Sequence, residues 1–192
     1  NWFEYLAEEH KACREDVIFM DVTSMSKFLV QGRDAEKVLN NICANDVAVP
    51  VGRVVYTQWL NERGGMLADL TVTRIAEDQF FIVSAGDFYT HDLMWLKKHI
   101  PDGAHAFVTD MTSAYTLMNI QGPKSRDLIQ KITSVDVSKE AFPYMTSQKI
   151  DLNYALAQVM RVTYEGELGF ELYVPAEFSA HVYESVVEAG QG

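Results

Sequence analysis

Two strand-like stretches carry acids among apolar residues, where a lone carboxylate is costly unless it is exposed, paired or put to use. In Leu67-Ala68-Asp69-Leu70-Thr71-Val72, alternation puts Leu67, Asp69 and Thr71 on one face and Ala68, Leu70 and Val72 on the other. If that first face meets solvent, Asp69 is an ordinary surface acid. If it lines a cavity, Asp69 can accept a proton or stabilise a developing cation. In Tyr164-Glu165-Gly166-Glu167-Leu168-Gly169-Phe170-Glu171-Leu172, glycines permit a sharp reversal and three carboxylates lie close to two aromatics. Glu171 alternates away from the apolar pair Phe170 and Leu172. A carboxylate beside an aromatic suits a pterin-like ring, whose amidine-like edge presents paired N–H donors. The plainer reading is an acidic hairpin.

Other chemistries find no support. The five histidines, His10, His91, His99, His105 and His181, show no metal-like pairing. Phosphate loops, G-x-G-x-x-G, nucleophile elbows and H-E-x-x-H are absent, so this stretch is not expected to bind FAD in the Rossmann manner. Cys13 and Cys43 lack metal-ligand spacing and read as reduced structural thiols, which points to a cytosolic or organelle-matrix setting. Gln121-Gly122-Pro123 reads as a strand-ending turn.

The elements that must position these residues alternate along the chain. Helices are expected at Trp2–Arg14, Asp34–Ile42, Thr90–His99, Ser125–Ile132 and Ala176–Ala189. Asp34 is placed as an N-cap, with Ala35, Val38, Leu39 and Ile42 on the buried stripe. Strands are expected at Val17–Met20, Lys27–Gln31, Val54–Leu60, Met66–Ile75, Gln79–Ser84, Tyr115–Ile120, Gln148–Leu152, Tyr154–Thr163 and Gly169–Val174. Turns such as Asn61-Glu62-Arg63-Gly64-Gly65 join several of them. The pattern is that of an α+β protein, antiparallel sheets flanked by helices, with no internal sequence repeat.

Bulk properties narrow the classes further. The chain has 192 residues, 48% of them hydrophobic, enough for a real core. A net charge of −11 and scattered basic residues argue against a nucleic-acid partner. No apolar run is long enough to span a membrane. The chain starts without methionine and stops just past a helical pattern, which is expected of a piece of something longer.

Taken in order, several stretches resemble the folate-binding T-protein (aminomethyltransferase) of the glycine cleavage system. They are Phe19-Met20-Asp21-Val22-Thr23-Ser24-Met25, Asn45-Asp46-Val47, Leu60-Asn61-x-x-Gly64-Gly65-x-x-x-Asp69-Leu70, Leu117-Met118-Asn119-Ile120-Gln121-Gly122-Pro123 and Tyr164-x-Gly166-Glu167-x-Gly169-Phe170-Glu171. Ser26-Lys27-Phe28, Ala68-Asp69-Leu70-Thr71-Val72 and Gly166 to Tyr173 are most similar to the version fused behind dimethylglycine and sarcosine dehydrogenases. The glycine-cleavage version has two adjacent acids where this chain has Ala68-Asp69, and Asp69 matches the second.

The resemblance implies an aminomethyltransferase folate-binding domain over 1–192, either undivided or as two interleaved α+β subdomains, without the C-terminal β domain that relatives use to close the folate cavity. It implies tetrahydrofolate as cofactor and Asp69 as the catalytic carboxylate. Met25, Tyr56, Tyr164 and Glu171 match positions lining the pterin pocket, and Val83 and Ser84 match backbone contacts to folate. Ala85 replaces an asparagine of the glycine-cleavage branch. FAD is implied only in an upstream module outside this chain, to which the chain would be covalently fused. That module oxidises an N-methyl amine, and the resulting iminium or formaldehyde is captured as 5,10-methylenetetrahydrofolate. The setting implied is cytoplasmic or mitochondrial matrix. A non-catalytic regulatory relative, or a demethylase of another methyl donor, is the alternative.

Overall fold

The computed structural model describes residues 1–191, which form two compact units. One is the central unit Ser24–Ser113. The other, the split unit, joins Asn1–Thr23 to the chain from Ala114 onward.

The central unit holds β2 (Ser26–Gln31), α2 (Ala35–Ile42), β3 (Val54–Leu60), β4 (Met66–Ala76), β5 (Gln79–Ser84), α3 (Tyr89–Lys98) and β6 (Phe107–Asp110), and its antiparallel sheet runs β3-β4-β5-β2-β6. Alternation works as expected, since Leu70 and Val72 enter a core with Phe28, Val30, Trp59, Phe80 and Ile82. The α2 stripe of Ala35, Val38, Leu39 and Ile42 is buried, because spacing of three and four residues keeps these side chains on one helix face.

The split unit holds α1 (Phe3–Glu15), β1 (Ile18–Asp21), β7 (Tyr115–Gln121), α4 (Ser125–Gln130), β8 (Thr146–Leu152), β9 (Ala155–Arg161), β10 (Gly169–Pro175) and α5 (Ser179–Gly190). Its antiparallel sheet runs β1-β7-β10-β9-β8. Ile120, Phe142, Phe170, Leu172 and Val182 centre its core. The antiparallel α+β class expected from sequence is the class observed.

Although no internal repeat stands out in the sequence, the fold is internally duplicated. Read from the opposite edge, the central sheet β6-β2-β5-β4-β3 matches β1-β7-β10-β9-β8 strand for strand. Gln31-Gly32 and Gln121-Gly122, Asp87-Phe88 and Glu177-Phe178, and His91 and His181 stand at one constant separation. Gly32 N–H donates to Asp78 O (2.9 Å), as Gly122 N–H does to Leu168 O (2.8 Å). Asp34 N–H donates to His105 O and Lys124 N–H to Asp16 O. The repeat escapes notice in sequence because few positions keep their identity, and most core positions need only volume and polarity.

Smaller differences have local causes. β6 is not among the expected strands, since it is a four-residue edge strand opening on the exposed Phe107. The last helix begins later than expected, after a 3-10 turn at Ala176–Phe178. Asp34 sits at the N-cap but makes no cap hydrogen bond; its Oδ2 accepts from His105 N–H instead (2.7 Å). Both cysteines are free, and burial pushes the Cys43 thiol up to about 11, so it stays protonated. No helix among the described residues is long and apolar enough to cross a membrane.

Candidate functional site

In the central unit, sheet pairing brings four of the expected residues, Tyr56, Asp69, Val83 and Ser84, to neighbouring register positions. Gln58 pairs with Asp69 and Tyr56 with Thr71, so Tyr56 and Asp69 are diagonal neighbours on one face of the β3–β4 hairpin. The Tyr56 hydroxyl donates to Asp69 Oδ2 at 3.0 Å. That bond, first among its causes, raises the Tyr56 pKa, so the phenol stays protonated and donating. Asp69 is exposed, and Tyr56 is half exposed. The solvent-facing reading of Asp69 therefore describes its position, and the cavity-facing reading is not observed. Leu70 and Val72 take the core face, and the opposite face is open to solvent at Asp69.

β5 supplies the next pair. Ser84 pairs with Leu70 and also with Ser26, while Val83 pairs with Thr71. Met25 precedes β2, where the buried Lys27 Nζ donates to its carbonyl at 2.9 Å. A side chain at Gly86 would collide with Ser24 O, so only glycine lets the segment after β5 pass close to Ser24-Met25. The hydroxyl of Ser84 is buried without a hydrogen-bond partner.

The remaining expected residues, Tyr164 and Glu171, lie in the split unit. Tyr164 is exposed. Glu171 lies on the opposite face of β10 from Phe170 and Leu172, yet it is only 7% exposed. The Tyr173 hydroxyl donates to its Oε2 at 2.6 Å. Burial pushes the Glu171 carboxyl above the ordinary range, and the Tyr173 bond only partly opposes this. Tyr173 itself is raised well above the usual phenol range by burial and by the neighbouring Glu171.

Sequence reasoning missed three members of this row: Tyr173, Asn119 and Gln121. Asn119 pairs with Glu171 across β7–β10, and Gly169 pairs with Gln121. The available signal was polar residues at every second position, Asn119 with Gln121 and Glu171 with Tyr173.

The Glu171 shift predicts a pH dependence. Below the ordinary glutamate range, near pH 4, the carboxyl is neutral folded or unfolded and burial costs little. As pH rises through the raised folded value the unfolded chain releases its proton more readily, so stability is lost. Glu171→Gln removes that loss, and denaturant unfolding should show the variant gaining on wild type between pH 4 and pH 8. A constant difference across that range would show that Glu171 does not carry this penalty.

In the central unit, the half-exposed Tyr56 ring, the Asp69 carboxylate and the orphaned Ser84 hydroxyl suit a flat, hydrogen-bonding heterocycle. In the split unit, the exposed Tyr164 ring, the Glu171 carboxylate and the orphaned Asn119 amide offer the same kinds of group. A family model described as GCVT N-terminal domain matches residues 1–192. Over its whole length the chain is 34% identical to the mitochondrial pyruvate dehydrogenase phosphatase regulatory subunit of Mus musculus, of which it covers 22%. It is 38% identical to the formaldehyde-forming 4-methylaminobutanoate oxidase of Paenarthrobacter nicotinovorans, covering all of this chain and 23% of that protein. It is 32% identical to the mitochondrial dimethylglycine dehydrogenase of Mus musculus, covering all of this chain and 22% of that protein. Among solved structures, the glycine cleavage system aminomethyltransferase T of Bartonella henselae superposes with a TM-score of 0.82 at 25% identity, covering 94% of this chain and 48% of that one.

Proposed function

The chain belongs to the GCVT N-terminal domain family, and from that premise we propose that it binds tetrahydrofolate and serves one-carbon transfer from an oxidised N-methyl amine such as dimethylglycine or sarcosine. When bound, tetrahydrofolate supplies the nitrogens that take up the carbon as 5,10-methylenetetrahydrofolate. The Tyr56–Asp69 pair is the observation that carries the reading. Tyr56 holds Asp69 Oδ2 and fixes the carboxylate, leaving Oδ1 to accept a proton from an N–H or to stabilise a neighbouring cation. Its half-exposed ring offers a stacking face. Glu171 is assigned to a pterin edge, Met25 and Tyr164 to apolar and aromatic lining, and Val83 and Ser84 to backbone contacts.

Oxidation of the amine requires FAD, which we assign to a separate, covalently linked module of the complete protein. The chain spans only 22 to 23% of its curated relatives, which leaves room for such a module. The likeness to an oxidase named as formaldehyde-forming supports an N-methyl amine as carbon source. Two free thiols suit a reducing cytoplasmic or matrix setting.

A regulatory role without chemistry is the second reading, supported by the likeness to a phosphatase regulatory subunit. The complete natural protein decides between them. With an isotopically labelled N-methyl amine, added tetrahydrofolate should divert label from free formaldehyde into methylenetetrahydrofolate. Unchanged formaldehyde release, with no calorimetric binding of tetrahydrofolate, would sink the catalytic reading.

A further inference from the structure

The face of the split unit's sheet opposite Phe170 and Leu172 carries a buried donor with nothing to donate to. Asn119 is fully buried, and its Nδ2 has no hydrogen-bond partner. Leaving such an amide unpaired costs roughly as much as losing a hydrogen bond outright, so a ligand or an ordered water is called for.

The orientation of this amide follows from a single backbone group. Tyr164 N–H can only donate, and it donates to Gln121 Oε1 at 3.4 Å. Gln121 therefore presents Nε2 to Asn119, which must receive it on Oδ1. The chain of donors ends at Asn119 Nδ2, with both protons unused. Gly169 makes room for this relay, because a Cβ there would overlap the Gln121 carboxamide.

The duplicated fold supplies an internal control. The pair Asn119 and Glu171 in β7–β10 corresponds in register to Leu29 and Phe81 in β2–β5. This architecture accepts apolar residues at both positions, so the fold does not require the polar pair. Retaining an unsatisfied amide beside a buried carboxylate is unfavourable for stability alone, and such conflicts mark functional sites.

Side by side, Glu171 offers acceptors and Asn119 offers a donor. A 2-amino-4-oxopteridine edge presents, in order, the 2-amino N–H, the N3–H and the 4-oxo oxygen, which is the complementary sequence of two donors and one acceptor. We infer that Asn119 Nδ2 donates to the 4-oxo oxygen of the pterin held by Glu171, making Asn119 a specificity-determining residue for 4-oxo over 4-amino pteridines. The inference rests on the folate reading above. Gln121 and Gly169 act as positioning residues, since they touch Asn119 rather than the ring.

The test compares tetrahydrofolate with its 4-amino-4-deoxy analogue by calorimetry on the complete protein. Asn119→Leu copies the residue that the central unit carries at the equivalent position, so folding should survive. It should weaken tetrahydrofolate by about tenfold, the worth of one such hydrogen bond, and leave the analogue's affinity unchanged. Asn119→Asp keeps the Oδ1 acceptor for Gln121 and presents an acceptor in place of the donor, so preference should swing toward the analogue. If both variants bind the two compounds with the wild-type ratio, Asn119 serves only the fold or an ordered water, and the inference fails while the folate reading stands. If wild type binds neither compound, the folate reading falls and takes this inference with it.

Discussion

Replacing Asp69 with alanine is expected to slow one-carbon transfer to tetrahydrofolate by about 100-fold or more, while the melting temperature stays nearly where it was. The two halves of this result have different causes. Asp69 is exposed and accepts a hydrogen bond from the half-exposed Tyr56, so its loss leaves no cavity and no buried orphan. Surface changes of that kind stay within about 0.5 kcal/mol. On the proposed chemistry the transfer rate depends on a carboxylate at one point in space, and β3 and β4 carry no acid besides Asp69. Rates of methylenetetrahydrofolate formation and thermal denaturation of the same preparations measure both halves. If wild type transfers carbon and the variant does so equally well, Asp69 has no catalytic role. A wild type that transfers nothing would overturn the catalytic proposal.

Gly122→Ala should destabilise the protein by roughly 3 kcal/mol or more, combining backbone strain with overlap. Gly122 has φ of +125°, and a Cβ there would run into Asp16 O and Val17 Cα, both backbone atoms that cannot swing aside. Gly64→Ala is the matched control: φ is +78°, but nothing lies within reach of the added carbon. It should cost only about 1 to 2 kcal/mol, the left-handed penalty alone. Gly32 repeats the Gly122 arrangement in the central unit, with φ of +127° and His105 O in the way, so Gly32→Ala should behave like Gly122→Ala. Denaturant titration ranks the three. Should Gly122→Ala prove no worse than Gly64→Ala, the close strand–turn approach is not what fixes this turn.

The duplication changes how the motifs are understood. Gln121-Gly122-Pro123 reads in sequence as a turn, and it is one; its counterpart Gln31-Gly32 makes the same turn. Gln121 has a second task that Gly122 hides, because its side chain turns back into the sheet to orient Asn119. Gly169, which looks in sequence like part of a flexible reversal, is a spacer for that carboxamide.

The α+β class, most strand positions and the α2 stripe were legible from residue order, because alternation and helical spacing are local consequences of backbone geometry. Residue order also singled out Asp69 and Glu171, since acids inside apolar strands are conspicuous one residue at a time. Packing in three dimensions leaves Asp69 exposed and Glu171 buried, although both alternate away from apolar neighbours in the same way. Burial depends on what covers a sheet face, and alternation says only that two faces exist. Tertiary structure alone also revealed the repeat and joined Asn119, Gln121, Tyr164 and Glu171 into one polar row. Register between strands far apart in the chain makes those neighbours, and no property of either strand states it.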